Sequence, residues 1–119
     1  MSAPNIVSVT TITGKTAGAA LTTSSADIVT NSAGSGKVFK INAIYVSNVD
    51  GTNNADATVA FYNADNTTSY HLAKTITVPA DATLDVISKS IYLEEGDKIT
   101  ALGSVAGDLE IIVSYEEIS

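Results

Sequence analysis

Three acids crowd the stretch "IYLEEGDKITA" (Ile91–Ala101): Glu94, Glu95 and Asp97. Two neighbouring carboxylates suggest acid–base catalysis or a hard cation. Paired-carboxylate chemistry needs one acid desolvated, so that its pKa rises, and a concave site to hold substrate. Calcium needs six to eight oxygens, and this stretch alone does not offer that spacing. Gly96 suits the positive-φ position of a short hairpin loop, and Asp97 can accept backbone N–H groups across it. The expectation is therefore a plain β-corner with its acids in water.

The other chemically equipped positions are few. "DGTNNAD" (Asp50–Asp56) supplies oxygens from Asp50, Asn54 and Asp56, but Thr52 and Ala55 break the EF-hand pattern. Asp, Asn and Gly are also the ordinary residues of a hairpin loop. His71 is the single histidine, in mid-strand, and no Ser or Thr sits in a nucleophile-elbow pattern to use it as a base. Five Tyr and two Phe without any Trp make a modest platform for sugar rings. No catalytic residue, metal or cofactor is expected.

These residues must be placed by strands. Val, Ile and Thr dominate, and their branched side chains fit a pleated sheet better than a helix. In "DLEIIVSYEEI", Leu109, Ile111, Val113 and Tyr115 alternate with Asp108, Glu110, Ser114 and Glu116, leaving Ile112 as the exception. That period of two marks a strand with one wet face. Further strands are expected at 5–12, with a Gly- and Ala-containing extension toward Thr23, and at 26–30, 37–48, 57–63, 70–78 and 83–88. "SIYL", "KITALGS" and the C-terminal segment follow. The segment 37–48 is apolar on both faces, as in a central strand, and parity puts Phe39 and Tyr45 on one face of it. Pro79 closes the strand before it. Many short strands at near-regular spacing predict one domain, an all-β antiparallel β-sandwich, jelly-roll-like in the order of its strands. Residues 1–12 are expected to form an extended N-terminal segment or first strand, and residues 13–119 the sandwich.

Length and composition agree with one packed core: 119 residues, 45% hydrophobic and 16% charged. The absence of Cys removes disulfides and thiolate chemistry. A net charge of −7, with Lys the sole basic type, gives no cationic face for nucleic acid and disfavours anionic membranes. "MSAPNIVSVTT" lacks a basic segment followed by an apolar run, so no secretory signal is expected, and no apolar stretch approaches the roughly 20 residues of a membrane span.

The pattern Leu93, Gly96, Asp97, Ile99 is similar to the penultimate hairpin of tumour-necrosis-factor-like and complement-globular jelly rolls. Across nearly the whole chain, "APNIVSVTTITGKTAGAALTTS", "AIYVSNVDGTNNADATVAFYN", "AKTITVPADATL", "IYLEEGDKI" and "IVSYEEIS" resemble small virion structural proteins of marine and cyanobacterial tailed phages. The resemblance implies a non-enzymatic virion component, made in the host cytoplasm, that packs in symmetric copies against other virion proteins. Capsid decoration or cement is the first placement. A neck, tail or fibre component forming a ring or trimer is the alternative, and a carbohydrate- or host-surface-binding module is a third. Under this reading the partner contacts come from Asn5, Ile6, Val7, Val9 and Thr11, by strand addition, and from Asp50, Asn53, Asn54 and Asp56.

Overall fold

The computed structural model describes residues 10–119. In chain order the strands are β1 (Ile12–Ala20), β2 (Ala26–Thr30), β3 (Val38–Asn48), β4 (Ala55–Asn63), β5 (Thr68–Val78), β6 (Thr83–Asp85), β7 (Ile91–Leu93), β8 (Lys98–Gly103) and β9 (Leu109–Ile118). One sheet runs β1–β9–β3, with β6 and β7 both pairing the far side of β3; the other runs β2–β8–β4–β5. All pairs are antiparallel. Taking β6 and β7 as one interrupted strand, this is the eight-position order of a jelly roll, in which successive strands mostly alternate between sheets. The expected β-sandwich is the fold.

Between the sheets lie Ile41, Ile44, Val46, Val59, Leu93, Ile99, Leu109, Ile111 and Val113, all essentially solvent-free. The C-terminal alternation reads as expected: Leu109, Ile111 and Val113 are buried, Tyr115 is half-buried against the core, and Ile112 faces outward. β3 departs from simple parity. Its register against β9 shifts between Ile41 and Ala43, and this bulge turns the strand over. Phe39 therefore points into the core, where it stacks on Tyr115 with 5.4 Å between ring centroids, while Tyr45 is 40% exposed on the outer face. The shared face expected for these two aromatics is corrected by that extra residue.

Two other expectations change. The stretch taken as a possible extension of the first strand is itself β1, Ile12–Ala20; the expected strand residues 5–9 lie outside the described residues. The strand expected over 83–88 stops at Asp85, and pairing with β3 resumes only at Ile91.

Four connections, β1–β2, β3–β4, β5–β6 and β8–β9, gather at one end of the sandwich. The connections β2–β3, β4–β5 and β7–β8 gather at the other. Each end is tied by a fully or almost fully buried asparagine. Asn31 Nδ2 donates to the carbonyls of Lys37 and Leu93, while its Oδ1 accepts from the Ser35 hydroxyl. Asn48 Nδ2 donates to the carbonyls of Asn53 and Val78, while its Oδ1 accepts from the Asp50 N–H. Buried amides with every group occupied hold loops in place without leaving an unmet polar atom.

The acidic corner completes the first of these ties, and its expected wetness is corrected. Glu95 and Asp97 are each only 3% exposed; Glu94 alone of the three is exposed. Asp97 accepts from the N–H of Glu94 (3.0 Å) within its own turn and from the N–H of Ala64 (2.9 Å) in the β4–β5 hairpin. Glu95 Oε2 accepts from the N–H of Gly36 (2.6 Å) in the β2–β3 turn. Gly96 N–H donates to the Asn31 carbonyl, and Asn31 N–H to that of Asp97. The corner thus bonds all the connections at its end. Gly96 has φ +91°, and a Cβ there would stand 2.8 Å from that of Ala64, so a side chain is excluded twice over.

At the same end Glu117 lies between Lys15 and Lys37, each at 3.0 Å. Its partial burial pushes the carboxyl up, but the two ammoniums outweigh this and hold it below its ordinary 4.5. The ammoniums are about half in water, which screens each pair to under about 1 kcal/mol.

Two predictions follow from these contacts. Asp97→Ala strands the Glu94 and Ala64 amides and should cost about 3 kcal/mol in urea unfolding, whereas Glu94→Ala should stay within about 0.5 kcal/mol. Because its folded pKa is lowered, Glu117 stabilises the fold above pH 4.5 and loses that contribution as pH falls through the depressed value. Glu117→Gln should therefore be less stable than the parent by about 1 kcal/mol at neutral pH, with the gap closing as pH falls through the depressed folded pKa.

Candidate functional site

The loop between β3 and β4 folds around Asp50. Its Oδ1 accepts from the N–H of Thr52 (2.8 Å) and of Asn53 (3.3 Å), and its Oδ2 from the Asn53 side-chain amide (3.3 Å). Asn54 Oδ1 accepts from Ala80 N–H in the β5–β6 connection, and Asp56 Oδ1 from the Thr77 hydroxyl on β5. Asp56 is further fixed through its backbone to Ser104. Asn53 and Asn54 are exposed, Asp50 and Asp56 half-buried. The Asp50 contacts are those of an Asx turn, and those of Asn54 and Asp56 tie the loop to β5 and the connection that follows it. No group of three or more His, Cys, Asp or Glu placed to hold a metal occurs among the described residues.

The fold brings one further acid to this loop that spacing could not reveal, Asp108 in the β8–β9 connection. Thr52 and Asn53, as hydrogen-bond donors, hold the Asp50 carboxyl below its ordinary value. Partial desolvation lifts that of Asp108 above it, and the neighbouring Asp50 charge lifts it further. The pair is a local electrostatic strain at the rim of the sandwich, between the β3–β4 and β8–β9 connections.

His71 lies exposed on the outer face of β5, over a shallow depression lined by Ser25, Thr58, Ser69 and Thr100. No acid lines that depression to orient the imidazole, which leaves the hydroxyls without the relay a nucleophile requires.

An apolar cleft of about 180 Å³ lies on the flank of the sandwich, lined by Phe61, Tyr70, Leu72, Ile91 and Tyr92. It exists because strand coverage is unequal there. β5 continues for eleven residues at the edge of one sheet, while the facing edge is β6 and β7, three residues each. The core margin therefore opens between Leu72 and Phe61 on one side and Ile91 on the other. Tyr70 and Tyr92, 50% and 44% exposed, form its rim. Parity alone does not show this cleft, because it depends on where β6 ends and β7 begins.

Of the anticipated contact residues, Asn5, Ile6, Val7 and Val9 lie outside the described residues. Thr11 is exposed and pairs through its backbone with Ser119, its N–H donating to Ser119 and its carbonyl accepting from it. Asp50, Asn53, Asn54 and Asp56 sit at the opposite end of the sandwich from Thr11, so the two anticipated contact regions form separate surfaces.

No family model matches the chain, and no curated protein matches it. Among solved structures, the chain is similar to a Bacillus endospore appendage protein, described as one of a novel family of disulfide-linked pili. The TM-score is 0.53 at 19% identity, over 89% of this chain and 85% of that one. At that identity the likeness is one of fold.

Asp108 carries a raised folded pKa, so its ionised form weakens the fold above the ordinary carboxylate range and costs nothing below it. Asp108→Asn should accordingly raise the melting temperature at neutral pH, and the gain should vanish as pH falls below 3.8; thermal scans across pH read this directly.

Proposed function

We propose that this chain is a non-enzymatic structural protein that works by packing in copies, most specifically as a capsid decoration or cement protein of a tailed-phage particle. The observation that carries the reading is the employment of the polar groups. Glu95, Asp97, Asp50 and Asp56, the acids with the best spacing for chemistry, are bound to backbone and side-chain donors of the fold itself. What is left for partners is surface: the exposed strand β1, the edge of β5 that no described strand covers, and an outer sheet face carrying Tyr45 and Ile112 side by side in register.

β1 is suited to such contact. Only Ala17 in it is even half-buried, and its edge away from β9 has no strand partner among the described residues. An uncovered edge with a single charge, Lys15, is open to pairing with another chain. The similarity to a pilus-forming appendage protein supports a part in an assembly. The linkage would have to be non-covalent or of another kind, since this chain has no cysteine to form the disulfides of those pili. The whole-chain resemblance to phage virion proteins supports the particle. A ring or trimer at the neck, tail or fibre uses the same surfaces in fewer copies.

Counting copies in purified particles by quantitative mass spectrometry, scaled to the major capsid protein, tests this reading. One copy per capsid subunit, or a simple fraction of that, is the expected result. A few per hundred moves the protein to neck or tail, and absence from particles overturns the virion reading.

A further inference from the structure

We propose that the flank cleft between β5 and β7 is the receiving site for the N-terminal segment Asn5–Val9 of a second copy of this chain. This rests on the reading that the protein assembles in copies.

The cleft selects for aliphatic side chains. Its lining is Phe61, Leu72 and Ile91 together with the partly exposed Tyr70 and Tyr92. At about 180 Å³ it falls below the roughly 300–1,000 Å³ usual for small-molecule sites. With no charged group in its lining, it offers nothing to an ion. Beside it, the outer edge of β5 has no strand partner among the described residues. An arriving strand would thus gain a backbone ladder from β5 while alternate side chains turn into the cleft, the division of labour of strand addition.

The segment preceding Thr10 has matching chemistry. No residue from Met1 to Gly14 has a charged side chain, and "NIVSV" concentrates the aliphatic residues of that stretch. In an extended strand Val7 and Val9 share one face. Pro4 fixes its own φ and biases Ala3 toward extended backbone.

Reach decides whose cleft receives it. In one sheet, Gly14, Glu116, Lys40 and Tyr92 stand in a row across β1, β9, β3 and β7. Three strand spacings put β7 about 14 Å from β1. Thr10 lies four residues before Gly14, about 13 Å further along the strand direction, and both Thr10 and Thr11 N–H groups are bonded to Ser119. The separation from Thr10 to Tyr92 is then on the order of 19 Å. Three residues of chain span at most about 11 Å, so Val7 and Val9, which share a face, fall short of the cleft of their own molecule. A neighbour's cleft is free of this restriction.

The absence of cysteine makes the test free of background. A chain carrying Val7→Cys is mixed with one carrying Tyr92→Cys and oxidised, with Val105→Cys as the control acceptor; Val105 is similarly exposed, in the β8–β9 connection. Disulfide-linked pairs should form at least tenfold faster with Y92C than with V105C. Adding a peptide of residues 2–10 should suppress the Y92C product. In the unsubstituted chain, the amide signals of Tyr70, Leu72 and Ile91 should shift with protein concentration. Equal rates for the two acceptors, or no product with Y92C, overturn the proposal. So does concentration-independent linking within a V7C/Y92C double variant, which would mean seating in the molecule's own cleft. These outcomes are read on purified protein, so they stand apart from the particle count: a chain absent from virions could still link through the cleft, and a virion protein could fail to.

Discussion

The sandwich depends on the mutual bonding of its sheet-to-sheet connections. Two sheets that share an apolar core are free to slide and splay at their ends unless something polar registers the crossings. Here the β7–β8 corner supplies it, because Glu95 reaches the β2–β3 turn and Asp97 reaches the β4–β5 hairpin. Asn31 closes the ring from the opposite direction, through the Leu93 carbonyl and the Gly96 amide. Burying two carboxylates is costly when they lack partners, and a carboxylate accepting backbone N–H groups makes charge-assisted bonds that offset this cost. Asn48 ties the other end with a neutral amide. β3 is thereby pinned at both termini, and it is the strand against which β9, β6 and β7 take their register.

Much of this architecture was legible in the sequence. Alternation through Leu109, Ile111 and Val113, branched residues throughout, and turn residues at regular spacing are enough for a β-sandwich. The corner was recognisable as a turn from Gly96 and Asp97, yet its burial was not. Turn propensity is local, whereas burial of Glu95 and Asp97 comes from Gly36 and Ala64, residues far away in the chain. The β3 bulge was hidden for a similar reason. One inserted residue at Asn42 leaves composition untouched while reversing the side to which Tyr45 points. The cleft was hidden because it arises from an interruption, the gap from Val86 to Ser90, that reads as ordinary strand sequence in "TLDVIS".

Function follows from what the fold leaves unused. The acids with suggestive spacing serve loops, and the apolar cleft is lined by side chains without charge. The open edges, the exposed β1 and the cleft are features that a neighbour can complete. Solubility of free copies is helped by the negative charge, which is distributed mostly over loops and strand ends. The proposed assembly role accounts for both the employed acids and the unfinished edges.

Native-state hydrogen exchange on the isolated protein tests most directly whether the corner is the tie that holds the sandwich. The amides of Gly36 and Ala64, in turn and loop positions that would ordinarily exchange fast, should open only with the core strands, at the free energy of Ile44 and Val113. Exchange of Gly36 and Ala64 at the rate of an unbound loop, with the core still protected, would contradict the account and return the acids of this corner to the list of groups in need of another role.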